Sequence, residues 1–420
     1  MDLISLAVPF FLLAILIEIW LDRRRGTHYI PMADAISSLS AGAMSTVTGI
    51  FSKLIGIAIY GFTLQHLAIV TLPLEWFDAS LQGVSLWLLA LICWDFSYYW
   101  KHRLGHEISI FWAAHSVHHQ SEEYNLTTAL RQTSTDFLIG WIVYVPLFLL
   151  GMPLQVFITV SAIDLIYQFW VHTRHIDKLG WADYVFVTPS NHRVHHAQNA
   201  RYIDKNYGGI LIIWDRLFGT FEPENDADPV VFGVRKPLTS FIPWHANLKV
   251  YKDLWRDTQL THGLRDRWRV WFGRTGWRPT DAASAYPIDL RPLADFRKYR
   301  PPHTAAQRTY LSYQFVAVLL LTLGMPLLFH GVNGMAALAA AAVCLLLIGI
   351  GLVSDNSRWA QLFERVRLLL FVGMGVWFAA GLTSRDGLWV TTAVVSYALV
   401  SVVLFSRANL SNRRVVSELP

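Results

Sequence analysis

The chain has 420 residues, of which 54% are hydrophobic and only 15% are charged, and its formal net charge is +5. Soluble domains carry about 25% charged residues, so this composition and the long apolar runs exclude a soluble protein and indicate an integral membrane protein. The basic residues are scattered among Trp and Pro, which gives no indication of nucleic-acid binding. Cys93 and Cys344 both lie in apolar runs and are interpreted as packing residues, and two cysteines are too few for an iron–sulfur centre.

We predict an all-α polytopic fold with about nine membrane spans. The apolar runs that define the spans cover residues 2–20, 37–69, 83–100, 135–151, 153–170, 309–330, 334–353, 366–382 and 387–405. The second run is too long for one simple crossing, so we expect it to be kinked or partly interfacial. Arg23, Arg24 and Arg25 follow the first apolar run rather than precede it, which is not the pattern of a signal peptide.

The distribution of positive charge predicts the orientation of these spans. Arg23–Arg25 place the end of the first span in the cytoplasm, and nine crossings then put 101–134, 171–308, 354–365 and the C-terminus on the same side. All of the 35 Lys and Arg except Lys53 and Arg385 fall in these segments or at their borders. We therefore expect a multi-pass protein of a bacterial inner membrane or the endoplasmic reticulum.

Four regions follow from this pattern. We predict N-terminal membrane helices over 1–100, a histidine-rich catalytic region over 101–228 that includes a helical hairpin at 135–170, a juxtamembrane cytoplasmic segment over 229–308, and C-terminal membrane helices over 309–420. The hairpin is expected to turn at Gly151-Met152-Pro153.

Three histidine clusters lie in the second region, which holds 10 of the 16 His of the chain between residues 102 and 196. Spacings of three and four put the rings of each cluster on one helix face, a turn apart. Because this pattern repeats three times, we predict a metal site on the cytoplasmic side. Its predicted ligands are His102 and His106, then His115, His118 and His119, and finally His192, His195 and His196. The isolated His28, His66, His245, His262, His303 and His330 are interpreted as ordinary core or surface residues.

Further polar residues accompany the clusters. Asp95 shares a helix face with His102 and His106, where it is expected either to accept a hydrogen bond from a ligating ring or to lie at a helix end in water. Asp164, Gln168 and His172 repeat at spacings of four, and His172 is predicted to be a ninth ligand. The role of His175 stays open between ligand and surface residue.

The number of histidines indicates the kind of metal. Neutral imidazole suits iron, copper and zinc, but eight or nine ligands exceed a single zinc site and require two ions. Two irons at the membrane face can activate dioxygen for attack on a lipid C–H bond. We therefore expect a di-metal, oxygen-activating site with a lipid substrate.

The order HxxxH, HxxHH, HxxHH across membrane spans resembles the fatty acid hydroxylase and sterol desaturase superfamily of membrane di-iron enzymes. Within this superfamily, six segments of the chain resemble the alkylglycerol monooxygenase branch. They are YWKHRLGHE at 99–107, WAAHSVHH at 112–119, EYNLTTALRQ at 123–132, NHRVHH at 191–196, DKNYGG at 204–209 and WDRLFGTFE at 214–222. The similarity is strong over 94–224. The runs at 123–132 and 204–222 are specific beyond the shared histidines.

This resemblance implies a monooxygenase that contains two Fe ions and uses O2 and tetrahydrobiopterin to hydroxylate the ether-linked carbon of alkylglycerols, with release of a fatty aldehyde. It implies that the eight cluster histidines and His172 bind the metal. It also implies that Glu107, directly after the first cluster, is a catalytic residue that interacts with the pterin.

Two other functions stay open. The first is a hydroxylase or desaturase of a sterol, fatty acyl or carotenoid substrate, with a redox partner as electron donor, because a shared scaffold does not determine the substrate. The second is a non-catalytic membrane metal-binding or interaction protein. Intact ligand clusters argue against the second, since a scaffold does not need so many ligands at one place.

Overall fold

A computed structural model describes residues 3–288, 290, 292–328, 334–381 and 385–408. In this described part the regular structure is entirely helical, apart from three isolated β-bridges. The chain divides into two compact units: the first comprises 1–238 and 246–298, and the second comprises 239–245 and 299–420. The predicted all-α fold is therefore confirmed.

The first unit contains the helices that surround the histidine clusters. They are α1 (Leu3–Arg25), α2 (Met32–His66), α3 (Leu81–Glu107), α4 (Ser109–His119), α5 (Leu126–Ala129), α6 (Val145–Leu149), α7 (Leu154–Trp170), α8 (Pro189–His195), α9 (Ile213–Phe218), α10 (Pro243–Leu260), α11 (Leu264–Phe272) and α12 (Thr280–Ala285). Residues 243–245 of α10 belong to the second unit. In the core of the first unit, Tyr60, Trp94, Phe148 and Val160 pack between α2, α3, α6 and α7.

The described residues contain four helical segments that are long and apolar enough to cross a membrane, or five if a bent pair counts as one span. The four are Leu3–Arg25, Leu81–Glu107, Ala336–Ser354 and Thr391–Ala408. The bent pair is Met32–Gly49 with Leu54–His66, and its 52° bend agrees with the kink expected for the second apolar run. The structure thus describes an integral membrane protein with fewer clear spans than the nine predicted.

The first arm of the predicted hairpin at 135–170 is not one continuous α-helix. It consists of two 3₁₀ segments, Asp136–Leu138 and Gly140–Tyr144, followed by α6, which has only five residues. Pro146 lies in the first turn of α6 and has no backbone N–H, so it removes one hydrogen bond that would join α6 to the preceding 3₁₀ segment. The second arm, α7, is a regular helix of 17 residues.

The second unit contains four long helices, α13 (Ala305–Leu328), α14 (Gly334–Ser354), α15 (Ala360–Gly381) and α16 (Arg385–Ala408). Glu364 and Arg367 of α15 are each 1% exposed and form an ion pair with each other. Arg367 also donates to Gln314 at 3.0 Å and to the Tyr397 hydroxyl at 2.8 Å. A buried polar network therefore links α13, α15 and α16.

Candidate metal centre

The corner between α3 and α4 brings the first two histidine clusters together. The last two turns of α3 carry His102 and His106, and α4 carries His115, His118 and His119. Ile108 separates the two helices because it has extended backbone angles (φ −118°, ψ 128°). This corner is supported by the chain after α11, since Ser109 N donates to Gly273 O at 3.0 Å and Thr275 N donates to Glu107 O at 3.0 Å.

The remaining predicted ligands come from two further elements. His172 follows directly after α7, where the chain leaves the helix. The short helix α8 begins at Pro189, a residue suited to a first helical position, and presents His192 and His195 before ending at His196. Helical spacing thus describes His192 and His195, whereas His172 lies beyond the end of α7 and His196 caps α8.

The nine predicted ligands converge into two groups. The first histidine group consists of His102, His106, His115, His119 and His195, and the second histidine group consists of His118, His172, His192 and His196. Within each group, the nitrogen atoms that face one another all lie within 4.8 Å. In the first group, Nε2 of His119 is 3.1 Å from Nε2 of both His106 and His115. In the second group, Nε2 of His172 is 3.2 Å from that of His118 and 3.1 Å from that of His192.

These rings are held in their neutral form by burial. Removal from water lowers the pKa of the His118 ring to about 4 and the pKa of the His195 ring to about 3. It also lowers the pKa values of His115, His119, His172, His192 and His196 well below the usual range, and nearby histidines lower them further. Neutral imidazole is the form that binds a metal.

The arrangement fits two metal ions. Nε2 of His102 and Nε2 of His195 are buried and have no hydrogen-bond partner among the described residues. Such an unpaired acceptor is costly in a protein interior unless a cation binds it. Five imidazoles in one group and four in the other also suit two separate first-row transition-metal ions.

Backbone carbonyls orient four of these rings. Nδ1 of His102 is 2.8 Å from Tyr207 O, Nδ1 of His195 is 3.0 Å from Lys205 O, Nδ1 of His118 is 3.0 Å from Arg131 O, and Nδ1 of His172 is 2.8 Å from Gln168 O. A carbonyl can only accept, so each Nδ1 carries the proton and each Nε2 presents its lone pair to its group.

Buried side chains in turn position two of these carbonyls, those of Tyr207 and Arg131. The carboxylate of Asp215, which is 0% exposed, accepts from Tyr207 N at 2.7 Å and from Gly208 N at 2.8 Å. The guanidinium of Arg131 donates to Val117 O at 2.7 Å and to Ser37 Oγ at 3.1 Å. Reasoning from the sequence missed both roles. The available signal was the specificity of the runs at 123–132 and 204–222, which contain these two residues.

Asp95 does not bond to a histidine ring. Its carboxylate accepts from Ile210 N at 2.7 Å, Leu211 N at 3.2 Å and Trp214 Nε1 at 2.8 Å. It is 1% exposed, so the alternative of a helix end in water is also wrong. Asp95 and His102 are seven positions apart on α3, which corresponds to about 10 Å along the helix axis. The loop after Tyr207 therefore contacts Asp95 at one level of the helix, and the ring of His102 lies at another.

Two other predicted residues lie outside both histidine groups. Glu107 pairs with Arg103 at 2.9 Å, and its side chain is 22% exposed. Nδ1 of His175 is 3.3 Å from the Arg25 guanidinium. Among the isolated histidines, His245 bonds to Ser240 and His303 to Ser354 O, while His330 lies outside the described residues. Cys93 and Cys344 are free thiols.

Aromatic rings surround both groups. Tyr207 and Trp112 lie 5.4 and 5.2 Å from the ring of His106, measured between ring centroids. Tyr124 stacks on His172 at 5.5 Å and on Phe232 at 4.9 Å. Because Tyr124 and Tyr207 are each 0% exposed, they shield the histidine groups from water.

Comparisons with known proteins agree with this geometry. The fatty acid hydroxylase family matches residues 87–220, which include all nine histidines of the two groups. Alkylglycerol monooxygenase of Danio rerio is 37% identical over 376 residues, covering 88% of this chain and 81% of the relative. The Homo sapiens protein of the same name is 33% identical, with 88% and 82% covered. An ornithine lipid hydroxylase of Rhizobium tropici is 35% identical over 135 residues, covering 32% of this chain and 41% of that protein. No solved structure gives a significant match.

Proposed function

The chain belongs to the alkylglycerol monooxygenase family of membrane lipid monooxygenases, and from this premise we propose that its own substrate is an alkylglycerol. One oxygen atom of O2 is inserted into a C–H bond of the ether-linked carbon, and the other leaves as water, with two electrons and two protons from a reduced donor. The resulting hemiacetal breaks its C–O bond and yields a fatty aldehyde and glycerol.

The observation that carries this proposal is the convergence of nine imidazoles, seven of them buried and two partly buried, into two adjacent groups. We assign the first histidine group to one iron ion and the second histidine group to another. Bound there, the two irons supply the activation of O2 and of the lipid C–H bond.

Other residues of the chain fix the tautomer of four histidines and keep water away from the site. The carbonyls of Tyr207, Lys205, Arg131 and Gln168 hold the proton at Nδ1 of their histidines, so that Nε2 stays free to bind. Buried aromatic rings exclude water, which limits side reactions at the metals. The protein therefore orients the ligand rings and excludes water from the site, and the metals contribute the redox chemistry.

We assign the interaction with tetrahydrobiopterin to Glu107. Its position supports this role, because it follows the metal-facing His106 directly and its carboxylate is partly accessible while those of Asp95 and Asp215 are buried. Arg103, at 2.9 Å, keeps the carboxylate oriented. A carboxylate can accept hydrogen bonds from the N–H groups of a pterin ring.

The proposed topology has nine spans, with both histidine groups on the cytoplasmic side. The positive charges that follow the first span support this orientation. A soluble donor, whether pterin or redox protein, then reaches the site from the cytoplasm while the lipid reaches it from the bilayer.

The decisive experiment incubates iron-loaded membranes that contain the full chain with a labelled alkylglycerol, O2 and tetrahydrobiopterin. Release of labelled fatty aldehyde is expected. Membranes that contain the His118→Ala variant are the matched control and should release none. If the protein binds two irons but releases no aldehyde with any donor, the substrate assignment is wrong.

A second candidate is hydroxylation of another lipid with a different electron donor. The similarity to an ornithine lipid hydroxylase over 135 residues supports this alternative. The same membranes, given ornithine lipid, sterol or fatty acyl substrates with a ferredoxin-type reductant, separate the two. Turnover there without alkylglycerol cleavage favours the second candidate.

A further inference from the structure

The surface of α11 carries an exposed apolar stripe close to the corner between α3 and α4, which carries five of the predicted metal ligands. Leu264, Trp268 and Phe272 are spaced by four residues, lie on one helix face, and are 74%, 68% and 54% exposed. The opposite face packs inward through Val270, which is 1% exposed. A soluble surface rarely presents three large apolar side chains in a row.

Arginines flank this stripe on both sides. Arg265 and Arg269 follow one edge and Arg267 follows the other, and all three are exposed. With Asp266, α11 carries a net charge of +2 from three arginines and one aspartate. None of the three arginines forms an ion pair with a carboxylate of the described part of the chain.

We propose that the stripe of Leu264, Trp268 and Phe272 inserts into the interface of an anionic lipid bilayer. An apolar stripe with basic edges is the pattern of a helix that lies in the plane of a membrane surface. Trp is enriched at that depth because its ring is amphipathic. Arginine complements the phosphate groups of anionic lipids and extends its aliphatic stem along the apolar layer.

This contact fixes the metal-bearing corner relative to the bilayer. The chain leaves α11 at Gly273, whose carbonyl accepts from Ser109 N, and continues to Thr275, whose N–H donates to Glu107 O. Helix α11 also packs against α4, which carries three of the predicted ligands. The stripe therefore anchors the α3–α4 corner at the depth from which a lipid must reach the metals.

Spin labelling tests this proposal on the full chain in nanodiscs. Cys93 and Cys344 are changed to Ala, and a nitroxide is attached at Trp268→Cys, with Leu264→Cys and Phe272→Cys as independent positions. A label at Asp226→Cys, whose native side chain is 89% exposed, reports the aqueous reference. In phosphatidylglycerol discs, the three stripe labels should be accessible to O2 and protected from a water-soluble nickel chelate, at a depth of about 5–10 Å.

A second variant tests the arginines. Changing Arg265 and Arg269 to Gln should move the Trp268→Cys label toward water in phosphatidylglycerol discs, with a smaller shift in phosphatidylcholine discs. Nickel accessibility of all three stripe labels equal to that at Asp226→Cys would overturn the proposal. Stripe labels that are accessible to neither O2 nor the nickel chelate would also overturn the proposal, because that result indicates contact with protein rather than lipid.

Discussion

At the scale of single residues, the orientation of four rings of the two histidine groups depends on backbone carbonyls that belong to neither group. The Nδ1 atoms of His102 and His195 bond to carbonyls of the loop over 204–209. That loop is held by Asp215, which accepts from two of its amides. The carboxylate of Asp215 should therefore matter for metal binding although it is no ligand.

We expect Asp215→Asn to lower metal affinity by about 10–100-fold, the usual effect of losing a group that orients a ligand. An amide cannot accept from both N–H groups and from the Thr220 hydroxyl as the carboxylate does. Iron content after equilibration with a graded chelator measures the change. The same substitution at the exposed Asp226 is the control, and equal iron retention in both variants would contradict the positioning role.

Among the histidines, His195 and His175 form a matched pair for mutation. His195→Ala removes a member of the first histidine group, so loss of one iron per chain and loss of turnover are expected. His175→Ala removes a ring outside both groups and should keep both irons and turnover. Metal analysis and the aldehyde assay measure the two outcomes. Full turnover in His195→Ala would refute the ligand assignment.

The positions of the histidines were predictable, but those of their supporting residues were not. Spacings of three and four determine which rings share a helix face, and all nine predicted ligands reach the two groups. The role of Asp95 depends instead on where the loop at 210–211 returns to α3. That return is a tertiary contact across more than a hundred residues, and no local pattern encodes it.

At the scale of elements, the chain after Tyr207 passes very close to α3 and α7. A Cβ added at Gly209 would lie 2.6 Å from Asp164 Oδ1, 2.8 Å from Asp95 Oδ1 and 2.8 Å from Tyr98 Cδ1. Glycine is therefore required by the packing of these elements. In contrast, a Cβ at Gly61 of α2 would have no neighbour within 4 Å.

Gly209→Ala should destabilise the first unit by about 1–3 kcal/mol, the usual cost of overpacking a core. Gly61→Ala introduces the same methyl group into open space and should be neutral or slightly stabilising. The midpoints of thermal unfolding in detergent compare the two variants. An unchanged midpoint in Gly209→Ala would show that the loop can move away at little cost.

The buried ion pair of α15 gives a second element-scale prediction. Arg367→Met leaves Glu364 buried without its cation, so a loss of about 3–5 kcal/mol of folding free energy is expected. Arg365→Met, on the same helix but exposed, should change stability little. Chemical unfolding in mixed micelles measures both. Equal stability of the two variants would mean that the network of α13, α15 and α16 contributes little.

Element boundaries show where sequence patterns lose information. Long apolar runs predicted α1, α3, α14 and α16 because length and hydropathy together leave few alternatives. The run at 135–151 is also apolar, but it forms two 3₁₀ segments and the five-residue α6 instead of one long α-helix. Hydropathy measures preference for lipid, and it does not report whether a continuous helix forms.

At the scale of the whole molecule, the number of crossings determines on which side each loop lies. Nine crossings place residues 354–365 in the cytoplasm. Five crossings, by α1, α2, α3, α14 and α16, place the same loop outside. Both counts keep 101–134 and 171–308 in the cytoplasm, so the histidine region does not distinguish them. The loop between α14 and α15 does.

A cysteine at Ser357 should therefore be labelled only from the cytoplasmic side, because Arg358 and Arg365 retain this loop there under the positive-inside rule. The measurement uses a membrane-impermeant maleimide on intact cells and on inverted vesicles, in a chain with Cys93→Ala and Cys344→Ala. Both span counts put Asp226→Cys on the cytoplasmic side and Asp78→Cys, between α2 and α3, on the opposite side, so these two variants serve as the references. Labelling of Ser357→Cys together with Asp78→Cys in intact cells would contradict nine spans. In that case α13 and α15 would not cross the bilayer, and the buried pair of Glu364 and Arg367 would lie outside the hydrocarbon layer.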